Sequence, residues 1–168
     1  MKKDNIVLIG MPGAGKSTVG VVLAKRLGFR FVDSDLVIQE KHDRLLHELI
    51  EEYGVEGFWK IENDVNASLN QRKSVIATGG SVIYGNDAME HLRAIGTVVY
   101  LQLPYEEVAD RLGDLNARGV TLQEGQTLRD LYDERVPLYE KYAHRVIDCH
   151  NKRIREIVEE AAAFQGRI

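Results

Sequence analysis

Gly10-Met11-Pro12-Gly13-Ala14-Gly15-Lys16-Ser17 sets the residue types of G-x-x-x-x-G-K-[ST] in one unbroken run. Glycines at those positions let the backbone curl until successive N–H groups point inward, where they can meet phosphate oxygens. A helix opening at Lys16 adds the positive end of its dipole at the same place. Lys16 then reaches the β- and γ-phosphates, and the Ser17 hydroxyl is a ligand for Mg²⁺. Gly13, Ala14, Gly15, Lys16, Ser17 and Thr18 are therefore expected to cradle a nucleoside triphosphate, in the arrangement called a P-loop or Walker A motif.

Two further runs bear on what happens to the phosphate. Asp33-Ser34-Asp35 spaces two carboxylates by one residue, and Thr78-Gly79-Gly80-Ser81 leaves a stretch of backbone open to close approach. Phosphoryl transfer needs a group on Mg²⁺, a carboxylate to orient and deprotonate an acceptor hydroxyl, and cations on the migrating phosphoryl. Asp33 and Asp35 can divide the first two tasks; the bland reading is a solvated turn, with Asp35 capping the helix after it. The bland reading of Gly79-Gly80 is an ordinary strand-to-loop turn. His144, Asp148, Cys149 and His150 are metal-ligand types, but a strand alternates its faces and scatters them, so no metal site is expected there. His42, His47 and His91 are expected at the surface. Tyr132, Tyr139 and Tyr142 read as core and helix contacts, and the acidic run Glu48–Glu56 reads as a solvated helix face.

The elements that must position these groups follow from periodicity. Short, nearly continuous apolar runs at Ile6–Ile9, Phe31–Asp33, Ser74–Ala77, Thr97–Leu103 and Arg145–Asp148 read as strands covered on both faces. Between them lie helical periods at Lys16–Leu27, Asn86–Ala94, Pro104–Leu112, Leu128–Tyr142 and Lys152–Phe164. Leu45–Leu69 reads as two helices meeting near Tyr53-Gly54. Gly28 should stop the first helix, and Pro104 suits the first turn of its own. Strands alternating with helices predict an α/β fold, a three-layer α/β/α domain around a five-stranded parallel sheet. In such sheets ligands bind beyond the carboxyl ends of the strands, so the three motifs should share one crevice. Gly113–Gly125 fits neither period and carries Arg118; a long irregular segment of this kind reads as a mobile lid.

The chain has 168 residues, the size of one domain, and 44% hydrophobic with 29% charged residues excludes general disorder. Twenty-two Lys+Arg against 26 Asp+Glu leave a net charge of −4, which argues against nucleic acid as a partner. No run approaches a membrane span. Met1–Asn5 leads into too short an apolar stretch for a signal peptide, and the single cysteine, Cys149, suits a reducing compartment. A cytoplasmic monomer is the expectation.

Taken together, Gly10–Thr18, Asp33-Ser34-Asp35, Phe58-x-x-x-Glu62, Ala77-Thr78-Gly79-Gly80, Arg118 and Arg135-Val136-Pro137-Leu138-Tyr139 resemble the shikimate kinase family over essentially the whole chain. The resemblance implies a P-loop kinase fold with sheet order 2-3-1-4-5 in one domain, with acceptor-binding helices at about 36–70 and a lid at about 113–125. It implies ATP-dependent phosphorylation of a hydroxyl on a small hydroxylated acid, shikimate first among them. Lys16 and the loop amides would hold ATP, and Ser17 with water-linked Asp33 would hold Mg²⁺. Asp35 would bind acceptor hydroxyls and act as base, Gly79 and Gly80 would contact the acceptor by backbone, and Arg135 would take its carboxylate. Arg118 would arrive with the lid at the transferring phosphoryl, while Arg111, and Arg153 near the last helix, would contact adenine.

Three positions depart from the family pattern. Trp59 stands where the family has an arginine for the acceptor carboxylate, Ser81 where it has a third glycine, and Gly119 where it has a proline after the lid arginine. A guanidinium pairs with a carboxylate through two parallel bonds, whereas an indole offers one N–H and no charge. Trp59 therefore either packs in the core and leaves Glu62 without a partner, or forms a stacking wall for a changed acceptor. On the second reading Trp59 and Ser81 belong to the acceptor site. A gluconate-like acid, a nucleoside, or a regulatory nucleotide-binding module without transfer activity stays open beside shikimate.

Overall fold

The computed structural model describes residues 3–113 and 120–165. Five strands, β1 (Asn5–Ile9), β2 (Arg30–Asp33), β3 (Ser74–Ala77), β4 (Gly96–Gln102) and β5 (Arg145–Asp148), form one sheet in the order β2-β3-β1-β4-β5, every pairing parallel. All residues of β1 and β3 are buried, as are those of β4 up to Leu101. Successive side chains point to opposite faces, so uninterrupted burial means that both faces are covered. The edge strands β2 and β5 are more exposed.

The helices are α1 (Lys16–Leu27), α2 (Ser34–His42), α3 (Leu46–Ala67), α4 (Asn86–Ile95), α5 (Tyr105–Leu112), α6 (Leu128–Tyr142) and α7 (Ile154–Ala162), with a short 3-10 turn at Val82–Tyr84. The expected boundaries hold within two residues at the strands and at most helices, and α2 is an element that the periodicity did not separate. Gly28 stops α1. Pro104 sits at the N-cap of α5, one residue outside the first turn where it was expected. Residue Gly54 interrupts α3 at φ 74, ψ 176, a region of backbone space open essentially to glycine, so the expected pair of helices is one element broken there.

Between β1 and β3 the pairing extends past the strand ends, where Thr78 donates to the Leu8 carbonyl from both its N–H (3.2 Å) and its hydroxyl (2.8 Å). The main core lies around the sheet. A smaller cluster of Ile38, Leu49, Phe58 and Val65 ties α2 to α3. The side-chain set His144, Asp148, Cys149 and His150 does scatter. His144 Nδ1 accepts from Val98 N at 3.0 Å, Cys149 is buried with its thiol pushed up to about 11 by that burial, and His150 pairs with Glu107. No group of three or more metal-ligating acids, histidines or cysteines occurs among the described residues. His91, expected at the surface, is half-buried and bonds the Leu69 carbonyl at 2.6 Å.

Candidate active site

The loop between β1 and α1 curls as its glycines predict, with Gly13 at φ 78 and Gly15 at φ 95, conformations that side-chain-bearing residues rarely adopt. Lys16 is folded into this loop and is 8% exposed; its Nζ donates to the carbonyls of Gly10 (2.6 Å) and Met11 (2.8 Å). Burial lowers its ammonium to about 8, while Asp35, foremost among the nearby carboxylates, draws it back up. On the rim of the loop, the Ser17 hydroxyl lies 3.4 Å from Asp33 Oδ2. Arg111 donates to the Gly13 carbonyl at 3.1 Å and pairs with Glu107, which places it against the cradle. Arg153 is 90% exposed and pairs with Glu156 at 3.6 Å; it is absent from the cavity lining.

Asp33 and Asp35 separate into two roles. Asp33 is the N-cap of α2, accepting from Asp35 N at 3.0 Å, so the capping residue is the first aspartate and not the second. The cap fixes the backbone of Asp35 and leaves its carboxylate pointing into the cavity. Burial, then the charge of Asp33, raises Asp35 to about 6 despite the pull of Lys16. A carboxyl at that level is ionised at neutral pH and still basic enough to take a proton.

A cavity of about 270 Å³ joins the cradle to this second half, lined by Lys16, Ser17, Thr18 and Gly13 on one side and Asp35, Glu62, Gly79, Gly80, Ser81 and Arg135 on the other. Gly79 and Gly80 are glycines for lack of space. A Cβ at Gly79 would lie 2.7 Å from Asp35 Oδ1 and 2.8 Å from Glu62 Oε2, and one at Gly80 would lie 2.9 Å from Arg135 Nη1. Arg135 is 1% exposed. Its Nη2 donates to Thr121 Oγ1 at 2.9 Å, and its Nε is buried without a partner among the described residues. Tyr139, one helical turn further along α6, donates to the Gly80 carbonyl at 2.6 Å, which makes it a structural contact as expected.

The departures resolve as follows. Trp59 is not on the cavity lining: it stacks on Tyr84 with centroids 4.1 Å apart, packs against the small α2–α3 cluster, and donates from Nε1 to Thr121 Oγ1 at 3.3 Å. The stacking-wall reading is therefore corrected, because the neighbouring ring is Tyr84 and the indole's only donor is spent on Thr121. Glu62 has not lost its partner. Ser81, the residue in place of a third glycine, donates to Glu62 Oε1 at 2.6 Å. Burial pushes the Glu62 carboxyl up to about 8, against the lowering effect of that bond, so it carries a proton at neutral pH. Arg118 and Gly119 lie outside the described residues; residues 120–127, which follow, are neither helix nor strand.

Glu62 is part of the Phe58-x-x-x-Glu62 motif but was given no role in the site, and Thr121 was missed. Glu62 had a signal, an acid four residues after Phe58 on the buried face of α3. Thr121 had none, since it sits in a segment without period.

A phosphate cradle after β1 and a buried carboxylate after β2, facing each other across the carboxyl end of the intervening β3, define a P-loop phosphotransferase of small-molecule type. Family comparison agrees: the shikimate kinase family model matches residues 12–164. The chain belongs to the shikimate kinase family. Shikimate kinase of Francisella philomiragia is 36% identical over 168 residues, covering 98% of this chain and 96% of that protein. That of Clostridium botulinum strain Eklund 17B is 35% identical over 159 residues, 94% of each chain. The solved shikimate kinase from Acinetobacter baumannii in complex with shikimate superposes with a TM-score of 0.85 at 38% identity, covering 95% of this chain and 90% of that one.

Proposed function

We propose that this protein transfers the γ-phosphoryl group of ATP to a hydroxyl of shikimate, giving 3-phosphoshikimate. The observation that carries the reading is the single cavity shared by Lys16 of the cradle, the Asp35 carboxylate and the Arg135 guanidinium. The relatives' names supply the substrate, and Arg135 supplies a chemical reason for an acceptor that carries a carboxylate.

The loop amides of Gly13–Thr18 and Lys16 hold the ATP phosphates. The acceptor lies over Gly79 and Gly80 with its carboxylate toward Arg135 and its hydroxyl at Asp35. In transfer, the acceptor oxygen bonds to the γ-phosphorus, the bond to the β–γ bridging oxygen breaks, and ADP leaves with that electron pair. Asp35 receives the hydroxyl proton. Lys16 neutralises charge on the departing phosphates, and Arg118 is assigned to the migrating phosphoryl. Ser17 and Asp33, a hydroxyl beside a carboxylate at the mouth of the cradle, are hard oxygen donors of the kind Mg²⁺ selects, and they are proposed to hold it. When bound there, the ion supplies charge neutralisation on the β- and γ-oxygens. Arg111 is assigned to the nucleotide base; the exposed position of Arg153 supports no such role.

The same reading takes residues 1–168 as one domain acting as a monomer in the cytoplasm, where ATP is available. No helix among the described residues is long and apolar enough to cross a membrane. ADP release measured with shikimate, quinate, gluconate and nucleosides tests the proposal. Saturable, shikimate-dependent release is expected. Tight ATP binding with no stimulation by any acceptor would replace the enzyme with a nucleotide-binding module.

A further inference from the structure

Arg135 is one cation where the family pattern has two for the acceptor's carboxylate, and Trp59 contributes nothing to the cavity directly. The structure shows what the exchange has built instead. Thr121 Oγ1 accepts from Arg135 Nη2 at 2.9 Å and from Trp59 Nε1 at 3.3 Å, and the Thr121 carbonyl takes a longer bond from Nη2 at 3.4 Å. A hydroxyl has two lone pairs and one proton. With both lone pairs taken by donors that cannot reverse, Thr121 can meet any third group only by donating.

No acceptor among the described residues takes that proton, and Thr121, 3% exposed, lines the same cavity as Arg135 and Asp35. A guanidinium pulling on the oxygen polarises the O–H and makes it a better donor. Beside a buried cation, the partner that such a donor suits is an anion with lone pairs to spare, which is a carboxylate.

We infer that the Thr121 hydroxyl is a second donor to the acceptor's carboxylate, set beside Arg135 and locked in the donating sense by the Trp59 indole. This rests on the shikimate kinase reading above. It assigns Trp59 a role at one remove: stacked on Tyr84 with planes 20° apart, the indole is held where its N–H can occupy one lone pair of Thr121.

The test compares the parent protein with Thr121→Val, Thr121→Ser and Trp59→Phe, using shikimate and its methyl ester, in which the carboxylate charge is gone. Valine keeps the shape and removes the hydroxyl. Losing one hydrogen bond to a charged group predicts a rise in the KM for shikimate of roughly ten- to a hundredfold, with the KM for ATP unchanged. Serine should restore most of it, and Trp59→Phe, which leaves the donor in place, should cost less than Thr121→Val. On the ester, whose carbonyl still accepts a hydrogen bond but carries no charge, the loss from parent to valine variant should be clearly smaller than on shikimate. An equal loss on shikimate and ester would reduce Thr121 to holding Arg135 in place and overturn the inference, as would an unchanged shikimate KM in Thr121→Val. If valine prevents folding, the serine and phenylalanine variants carry the same comparison, and a phenylalanine loss larger on the charged substrate is the expected result. A parent protein without shikimate-dependent ADP release would instead remove the functional reading itself.

Discussion

The cavity has two halves that are built from different material. On the nucleotide side a contiguous eight-residue loop presents backbone amides, and its shape follows from where glycines fall. On the acceptor side the loop after β3, the first turn of α2, the middle of α3, α6 and the segment at Val120-Thr121 each send in one or two side chains. Backbone amides cannot titrate. The acceptor side, by contrast, is a buried set of ionisable groups, Asp35, Glu62 and Arg135, facing Lys16 across the cavity. Lys16 apart, the cradle recognises phosphate by groups that cannot change charge, while the carboxyls and substrate choice reside in the other half.

Substitutions that hit one half alone test that division. Asp35→Asn should lower kcat by roughly 10²- to 10⁴-fold, the span of a lost general base, and leave ATP affinity nearly intact. Equal loss of both in kinetics and ATP titration would break the separation of the halves. Gly79→Ala puts a methyl group 2.7 Å from Asp35 Oδ1 and 2.8 Å from Glu62 Oε2. Misplacing those carboxyls should cost about a hundredfold in kcat/KM for the acceptor, with the ATP dissociation constant unchanged. The profile of kcat/KM against pH should rise through about 6 as Asp35 loses its proton, and Asp35→Asn should abolish that acid limb.

The smallest expected effect is on stability. Folded Glu62 holds its proton up to about 8, whereas the unfolded side chain releases it in the ordinary carboxyl range near 4.5. Between those values the folded state binds the extra proton, so stability should fall as pH rises from about 4.5 to about 8. In Glu62→Gln the Ser81 hydroxyl keeps an acceptor, and this part of the slope should vanish from urea midpoints measured across that range. A parent and variant with parallel slopes would place Glu62 in a wetter setting.

How much could be read beforehand divides along the same line. Gly10–Ser17, the strand runs and the break near Gly54 are local signals, visible in spacing alone. Their outcome, down to the order β2-β3-β1-β4-β5 implied by family resemblance, matches. The acceptor side depends on which side chains meet after folding, and spacing is silent about that. Asp33 and Asp35 exchanged the capping role that was entertained for Asp35, because the cap is decided by which residue sits just outside α2. Trp59 and Ser81 looked like two separate losses. Each found a partner that only the tertiary structure supplies, Thr121 and Glu62 respectively.

Thr78 sets a distance between the two halves. Its two bonds to the Leu8 carbonyl carry the β1–β3 ladder beyond the strands to the feet of both loops, and Tyr139 clamps the far side, its hydroxyl donating to Gly80 O at 2.6 Å and lying 3.7 Å from Met11 Sδ. Neighbouring strands are held about 4.8 Å apart by their hydrogen bonds. The span that a phosphoryl group crosses is thus gauged by the sheet itself, a ruler that surface helices and loops can drift around without resetting.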